Sequence, residues 1–148
     1  MIRRLIFAAL LMFFGTGVAH ANGSCTPTSA GISFGTFAGS QVTNIGSIVL
    51  TCSGNGTINY TVTLTTGNGT YATRLLKNGT PSLQYNLYKD AVFGQIWGDG
   101  TGGSTTLIGS VNVNTSSPIV TIPLYAKLPV QALPAQGGYS DTITVSVN

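Results

Sequence analysis

Glutamate is absent from this 148-residue chain, and histidine occurs once, at His20. Those two gaps remove most of the side chains that carry acid–base and metal chemistry. Past residue 21 a serine–histidine triad and a histidine-bound zinc site are both excluded on inventory. Charge of either sign is scarce, at 6% of residues, while 43% are hydrophobic. Low charge signals disorder only when apolar content is low as well, so a folded domain is expected. Long hydrophobic runs are limited to one, Leu5 to Phe14 (LIFAALLMFF).

That run reads as the core of an export signal. Arg3 and Arg4 precede it, and Ala19 and Ala21 form a small-x-small pattern after it. Ten residues as a helix span roughly 15 Å, about half a bilayer core, which is too short for a retained anchor. Cleavage is expected after Ala21, giving a signal peptide over 1–21 and one domain over 22–148, with no membrane span after cleavage. Removing Arg3 and Arg4 leaves Arg74, Lys77, Lys89 and Lys127 against Asp90, Asp99 and Asp141, a net charge of +1. No basic patch interleaved with aromatics is visible, so nucleic acid is not an expected partner.

Cys25 and Cys52, the only cysteines, both follow the signal. In an oxidising compartment such a pair is most simply one disulfide, worth roughly 3 kcal/mol by loop entropy. A metal site would lack other soft ligands, and a redox pair usually needs closer spacing.

Period-two alternation dominates after residue 30, with no helical periodicity. Ile32 and Phe34 form an expected first short strand. Further strands carry Ile48, Leu50 and Cys52, then Ile58, Tyr60, Val62 and Leu64, then Leu83, Tyr85 and Leu87. Less regular apolar groups run from Val92 to Trp97 and from Leu107 to Val113. Val120 to Ala126 and Tyr139 to Val147 supply the last strands. Turn signals such as Ser53-Gly54-Asn55-Gly56, Asn78-Gly79 and Gly98-Asp99-Gly100 separate them. Pro123 inside a strand pattern points to an edge, bulge or strand switch. The class is all-β, an antiparallel sandwich. A complete sandwich would need one strand more than this pattern supplies.

Candidate chemistry is thin. Asp90 and Asp99 could pair as a carboxylate dyad, yet turn-capping aspartates are far commoner. Asp99 alone is too little for calcium, and Gly98 to Gly103 lacks the lysine and helix of a phosphate loop. Trp97 and Tyr88 could stack on a sugar, though burial in the sandwich is the commoner fate of such aromatics. No catalytic residue, metal site or cofactor is assigned, and an enzyme is not expected.

The residues resemble the spore coat protein U domain family, the fold of subunits of archaic chaperone–usher pili. The matching features are Cys25, Phe34-Gly35, Leu50 to Cys52 (LTC), Tyr60 to Leu64 (YTVTL) with Gly67, and Arg74-Leu75. They continue through Leu83 to Asp90 (LQYNLYKD), Trp97 to Thr101 (WGDGT), Pro123 to Pro129, Gln136-Gly137, and Gly138 to Thr142 (GYSDT). The resemblance implies an incomplete immunoglobulin-like β-sandwich that lacks its final strand. Its partners would be a periplasmic chaperone, an outer-membrane usher and other pilus subunits, acting by donor-strand exchange in adhesion and biofilm formation. The protein would be exported through the periplasm to the cell surface or secreted. Ile32 and Phe34 on one side and Ile143, Val145 and Val147 on the other should border an unfilled cleft. Only Asn22, Gly23 and Ser24 precede Cys25, too few to donate a strand, which implies a tip subunit, a terminal subunit or a role outside a conventional fibre. The alternatives are a self-standing surface- or sugar-binding module and a spore-coat or matrix protein.

Intact-mass measurement of exported protein without reductant should show the loss of two hydrogens for a Cys25–Cys52 bond. Two free thiols would exclude it.

Overall fold

Apolar residues recur at every second position in most of the extended segments, and the alternation builds two facing sheets around one core. The computed structural model describes residues 11–17, 23–114 and 116–148. The strands are β1 (Leu11–Gly17), β2 (Gly23–Ser29), β3 (Val42–Gly54), β4 (Gly56–Leu64) and β5 (Arg74–Lys77). They continue with β6 (Ser82–Tyr88), β7 (Leu107–Val113), β8 (Ile119–Leu128) and β9 (Asp141–Val147). One sheet has the order β1-β9-β4-β7, the other β2-β3-β8-β6-β5. All pairings are antiparallel except β1 with β9. No helix among the described residues is long and apolar enough to cross a membrane.

The chain changes sheet at Gly54-Asn55-Gly56, where Gly56 takes a φ of +77° that a side chain would oppose. β4 then presents Ile58, Tyr60, Val62 and Leu64 inward, opposite Ile48, Leu50 and Cys52 of β3. Leu83, Tyr85 and Leu87 of β6 are buried as their alternation requires, and so are Ile122, Leu124, Ala126 and Leu128 of β8. Pro123 is exposed on β8, which bonds β3 throughout but β6 only at Tyr125 to Lys127. The proline therefore forfeits no ladder bond on the β6 side.

The first and last strands differ from the sequence expectation. Ile32 and Phe34 are buried, but residues 30–38 form no strand, and the strand that precedes them is β2 with Cys25 in it. β2 carries one proline, one glycine and small polar residues, so it shows no alternation of large apolar groups. Cys25 stands directly opposite Cys52 across the β2–β3 ladder and is disulfide-bonded to it over a separation of 27 residues. β9 starts at Asp141, so Tyr139 lies before it, fully buried and donating its hydroxyl to the Ala135 carbonyl at 2.8 Å.

A buried polar network locks the loops to this frame. Arg74 is fully buried and donates to Asn86 Oδ1 (2.6 Å) and to the carbonyls of Thr65 (2.9 Å) and Trp97 (2.8 Å). Its guanidinium also lies 5.4 Å from the Tyr71 ring centre. Burial pulls the guanidinium down from its ordinary range, and neighbouring Tyr85, Tyr71 and Asp141 oppose that pull. Asn86 returns its own donors to the Tyr71 and Ala72 carbonyls. Asp141 accepts from Tyr85 Oη at 2.6 Å and from the Asn68 and Thr142 amides at 2.8 Å each. Gly67, at φ +60°, passes so close that any side chain there would collide with the Asp141 carboxylate. Among the described residues every buried side-chain nitrogen and oxygen finds a partner.

Burial raises the Asp141 carboxyl above its ordinary range, and the Tyr85 hydroxyl bond holds it down. A raised native pKa means that stability falls as pH climbs from the unfolded value through the native one. Tyr85→Phe removes the bond that favours the carboxylate, so it should cost about 1–3 kcal/mol at neutral pH. The cost should shrink in acid, where Asp141 is protonated in both variant and parent. Urea melts at the two pH values check this, and a pH-independent gap would contradict it.

Candidate strand-binding cleft

β9 is the strand on which a strand-accepting function would depend. Asp141, Ile143, Val145 and Val147 face inward and are buried, while Thr142, Thr144 and Ser146 face outward. One edge of β9 is satisfied by β4, with Val62, Thr63 and Leu64 opposite Val147, Ser146 and Val145. Asn148 and Thr61 exchange backbone bonds of 2.8 and 3.0 Å beyond that ladder.

No strand of residues 23–148 pairs with the other edge; a strand from the segment read as the export signal lies there instead. β1 lies along it in parallel register, from Leu11 opposite Asp141 to Gly17 opposite Val147. Thr16 Oγ1 and Ser146 Oγ are 2.9 Å apart on the outer face. The opposite wall of the cleft is β2. A Cβ at Gly15 would sit 2.7 Å from the Pro27 carbonyl oxygen, and one at Gly17 would sit 3.1 Å from that of Cys25. A small pocket bounded by Gly15, Pro27, Thr28, Ser29 and Val145 opens beside them. β1 therefore bridges the two sheets at their open seam, with its backbone bonded to β9 and its glycines against β2.

The five residues expected to border the cleft do not share one role. Ile143, Val145 and Val147 lie on the strand that carries the open seam. Ile32 and Phe34 reach the core from an irregular segment after β2. Ile32 lies against Gly46 of β3, and Phe34 packs edge-on against Tyr85 with ring centres 6.0 Å apart. The wall opposite β9 comes instead from Cys25 to Ser29, which sequence reasoning missed. The Cys25–Cys52 bond fixes that wall to β3. The expected cleavage point after Ala21 lies outside the described residues, as do residues 1–10. Leu11 to Phe14, read from sequence as part of the export signal, form the first half of β1.

The candidate chemical residues resolve into turn structure. Asp90 is partly exposed and accepts from the Val92, Gly94 and Gln95 amides, which hold its carboxyl below the usual range. Asp99 does the same for Thr101, through hydroxyl and amide. Trp97 is fully buried and donates Nε1–H to the Val62 carbonyl at 3.0 Å, so it offers no stacking surface. Tyr88 is partly exposed and packs edge-on against Phe93 at 5.3 Å. Among the described residues no three acidic, histidine or cysteine side chains gather as a metal cluster.

The sequence profile of the Spore Coat Protein U domain matches residues 13–146. No curated protein matches the chain. Among solved structures, a chain of the CsuC–CsuE chaperone–tip adhesion subunit pre-assembly complex is similar. It comes from the archaic chaperone-usher Csu pili of Acinetobacter baumannii. The TM-score is 0.57 at 23% identity, over 85% of this chain and 40% of that one. This chain thus spans well under half the length of its structural neighbour, and the likeness is one of fold.

Truncating Ile143 to Ala should cost about 2–4 kcal/mol, because a fully buried residue leaves a cavity that a sheet cannot collapse. Denaturant midpoints at constant slope measure the loss. A change below about 0.5 kcal/mol would place Ile143 outside the core.

Proposed function

The chain belongs to the spore coat protein U domain family, and from that premise we propose that it is a structural subunit of a bacterial surface pilus. In this reading the subunit is built into the fibre by the chaperone–usher route and has no catalytic role. Its working surface is the seam between β2 and β9. One observation carries the reading: the second edge of β9 is completed by a separate strand rather than by any strand of residues 23–148. Strand addition at such an edge draws affinity from backbone hydrogen bonds and register from alternate side chains.

In this reading residues 1–21 are removed during export, which takes β1 away and opens the seam. A periplasmic chaperone then covers it, and the extension of another subunit replaces the chaperone at the outer-membrane usher. The name of the structural neighbour, a chaperone–subunit pre-assembly complex, supports that order of events. We place the subunit at the tip or end of a fibre that serves adhesion and biofilm formation. Gly23 is already paired with Gly54 in the β2–β3 ladder, so a chain cut after Ala21 has no arm to give away.

Exported protein, co-produced with a tagged chaperone from an archaic chaperone–usher system, should purify as a one-to-one complex with it. The same protein produced without chaperone should fail to accumulate, since an apolar seam with an unpaired strand edge invites aggregation. A processed monomer that accumulates alone and ignores the chaperone would replace this reading with that of a self-standing secreted module.

A further inference from the structure

β1 occupies the place that the proposed reading assigns to a partner's strand. We propose that Leu11–Gly17, as long as it stays on the chain, serves as the chain's own donor strand. It closes the seam between β2 and β9 and denies it to any other strand until the segment is cut away. The inference rests on the strand-acceptor reading and adds to it the event that switches the acceptor on.

Three observations carry it. All seven residues of β1 are in register with all seven of β9. The outer face is tied by the hydroxyl contact of Thr16 with Ser146 at 2.9 Å. The inner face fits because residue 15 is glycine. A Cβ there would meet the Pro27 carbonyl oxygen at 2.7 Å and the Pro27 ring at 2.8 Å, below any ordinary contact. The sequence supplies glycine at both approaches, Gly15 beside Pro27 and Gly17 beside the Cys25 carbonyl.

Tethering makes the occupant hard to displace. Five residues separate Gly17 from Gly23 at the start of β2. A short connection holds a segment at an effective concentration on the order of millimolar, so a strand arriving from solution competes against that. Cutting anywhere between the two strands turns the same contact into a bimolecular one, and it is then readily exchanged.

The test uses the full chain, synthesised in oxidising buffer without membranes so that no leader is removed. With Thr16→Cys and Ser146→Cys together, peptide mass mapping without reductant should find residues 16 and 146 cross-linked beside the native Cys25–Cys52 pair. A labelled peptide of the sequence LMFFGTG should bind the unsubstituted full chain weakly. It should bind full-length Gly15→Val, whose own strand no longer fits, at least about tenfold more tightly. Free thiols at 16 and 146, or equal peptide uptake by parent and variant, would overturn the proposal. A cross-link that forms in a protein whose processed form never engages a chaperone would refute the pilus reading and leave the tethered strand standing. Chaperone capture without the cross-link would do the reverse.

Discussion

The second edge of β9 is the constraint around which the molecule is arranged. A strand whose inward side chains are all buried cannot leave its backbone donors and acceptors without partners. β4 supplies partners along one edge, and β1 along the other. Remove β1, and the seam exposes peptide groups together with the apolar flank formed by Ile143, Val145 and Val147. An edge of that kind must be covered by something, and the choice of cover decides whether the protein is a closed monomer or a link in an assembly.

The rest of the core keeps that strand ready for its partner. Asp141, the first residue of β9, is held by Tyr85 from β6 and by Asn68 from the loop after β4. A one-residue slip would pull the carboxylate away from both and turn every side chain of β9 over. The facing wall is equally fixed, because Cys25 of β2 is bonded to Cys52 in the middle of the sandwich. Closing a 27-residue loop removes about 3.5 kcal/mol of chain entropy from the unfolded state, a large share for a small domain. Both sides of the seam are thus tied to the rest of the core by contacts that do not involve the strand between them, an arrangement that favours binding a strand with little reordering.

Arg74 shows how far the polar part of this frame escaped a linear reading. The sequence marks it only as one of the few cations and as part of a family pattern. In the fold its guanidinium satisfies two loop carbonyls and the Asn86 amide, tying the segments around Thr65, Tyr71 and Trp97 to β6. No local periodicity encodes such a contact, since its partners are separated by 9 to 23 residues. Similarly, the turn aspartates were legible because their partners lie within five residues, as with Asp90 and Gln95.

The sequence by itself determined the all-β class, the inward faces of β3, β4, β6, β8 and β9, the cysteine pair and the family. Each of these is written in period-two alternation, in turn residues or in inventory, which are local quantities. Only the tertiary structure decided what faces β9. It put β2, with its proline and small residues, on the opposite wall, and moved Ile32 and Phe34 from a strand edge into the core. It also laid Leu11–Gly17 along the seam. The physical reason is that an apolar run of leader composition states only that it avoids water. Whether it does so in a membrane or against β9 depends on a strand edge 130 residues away, and on a glycine that happens to meet Pro27.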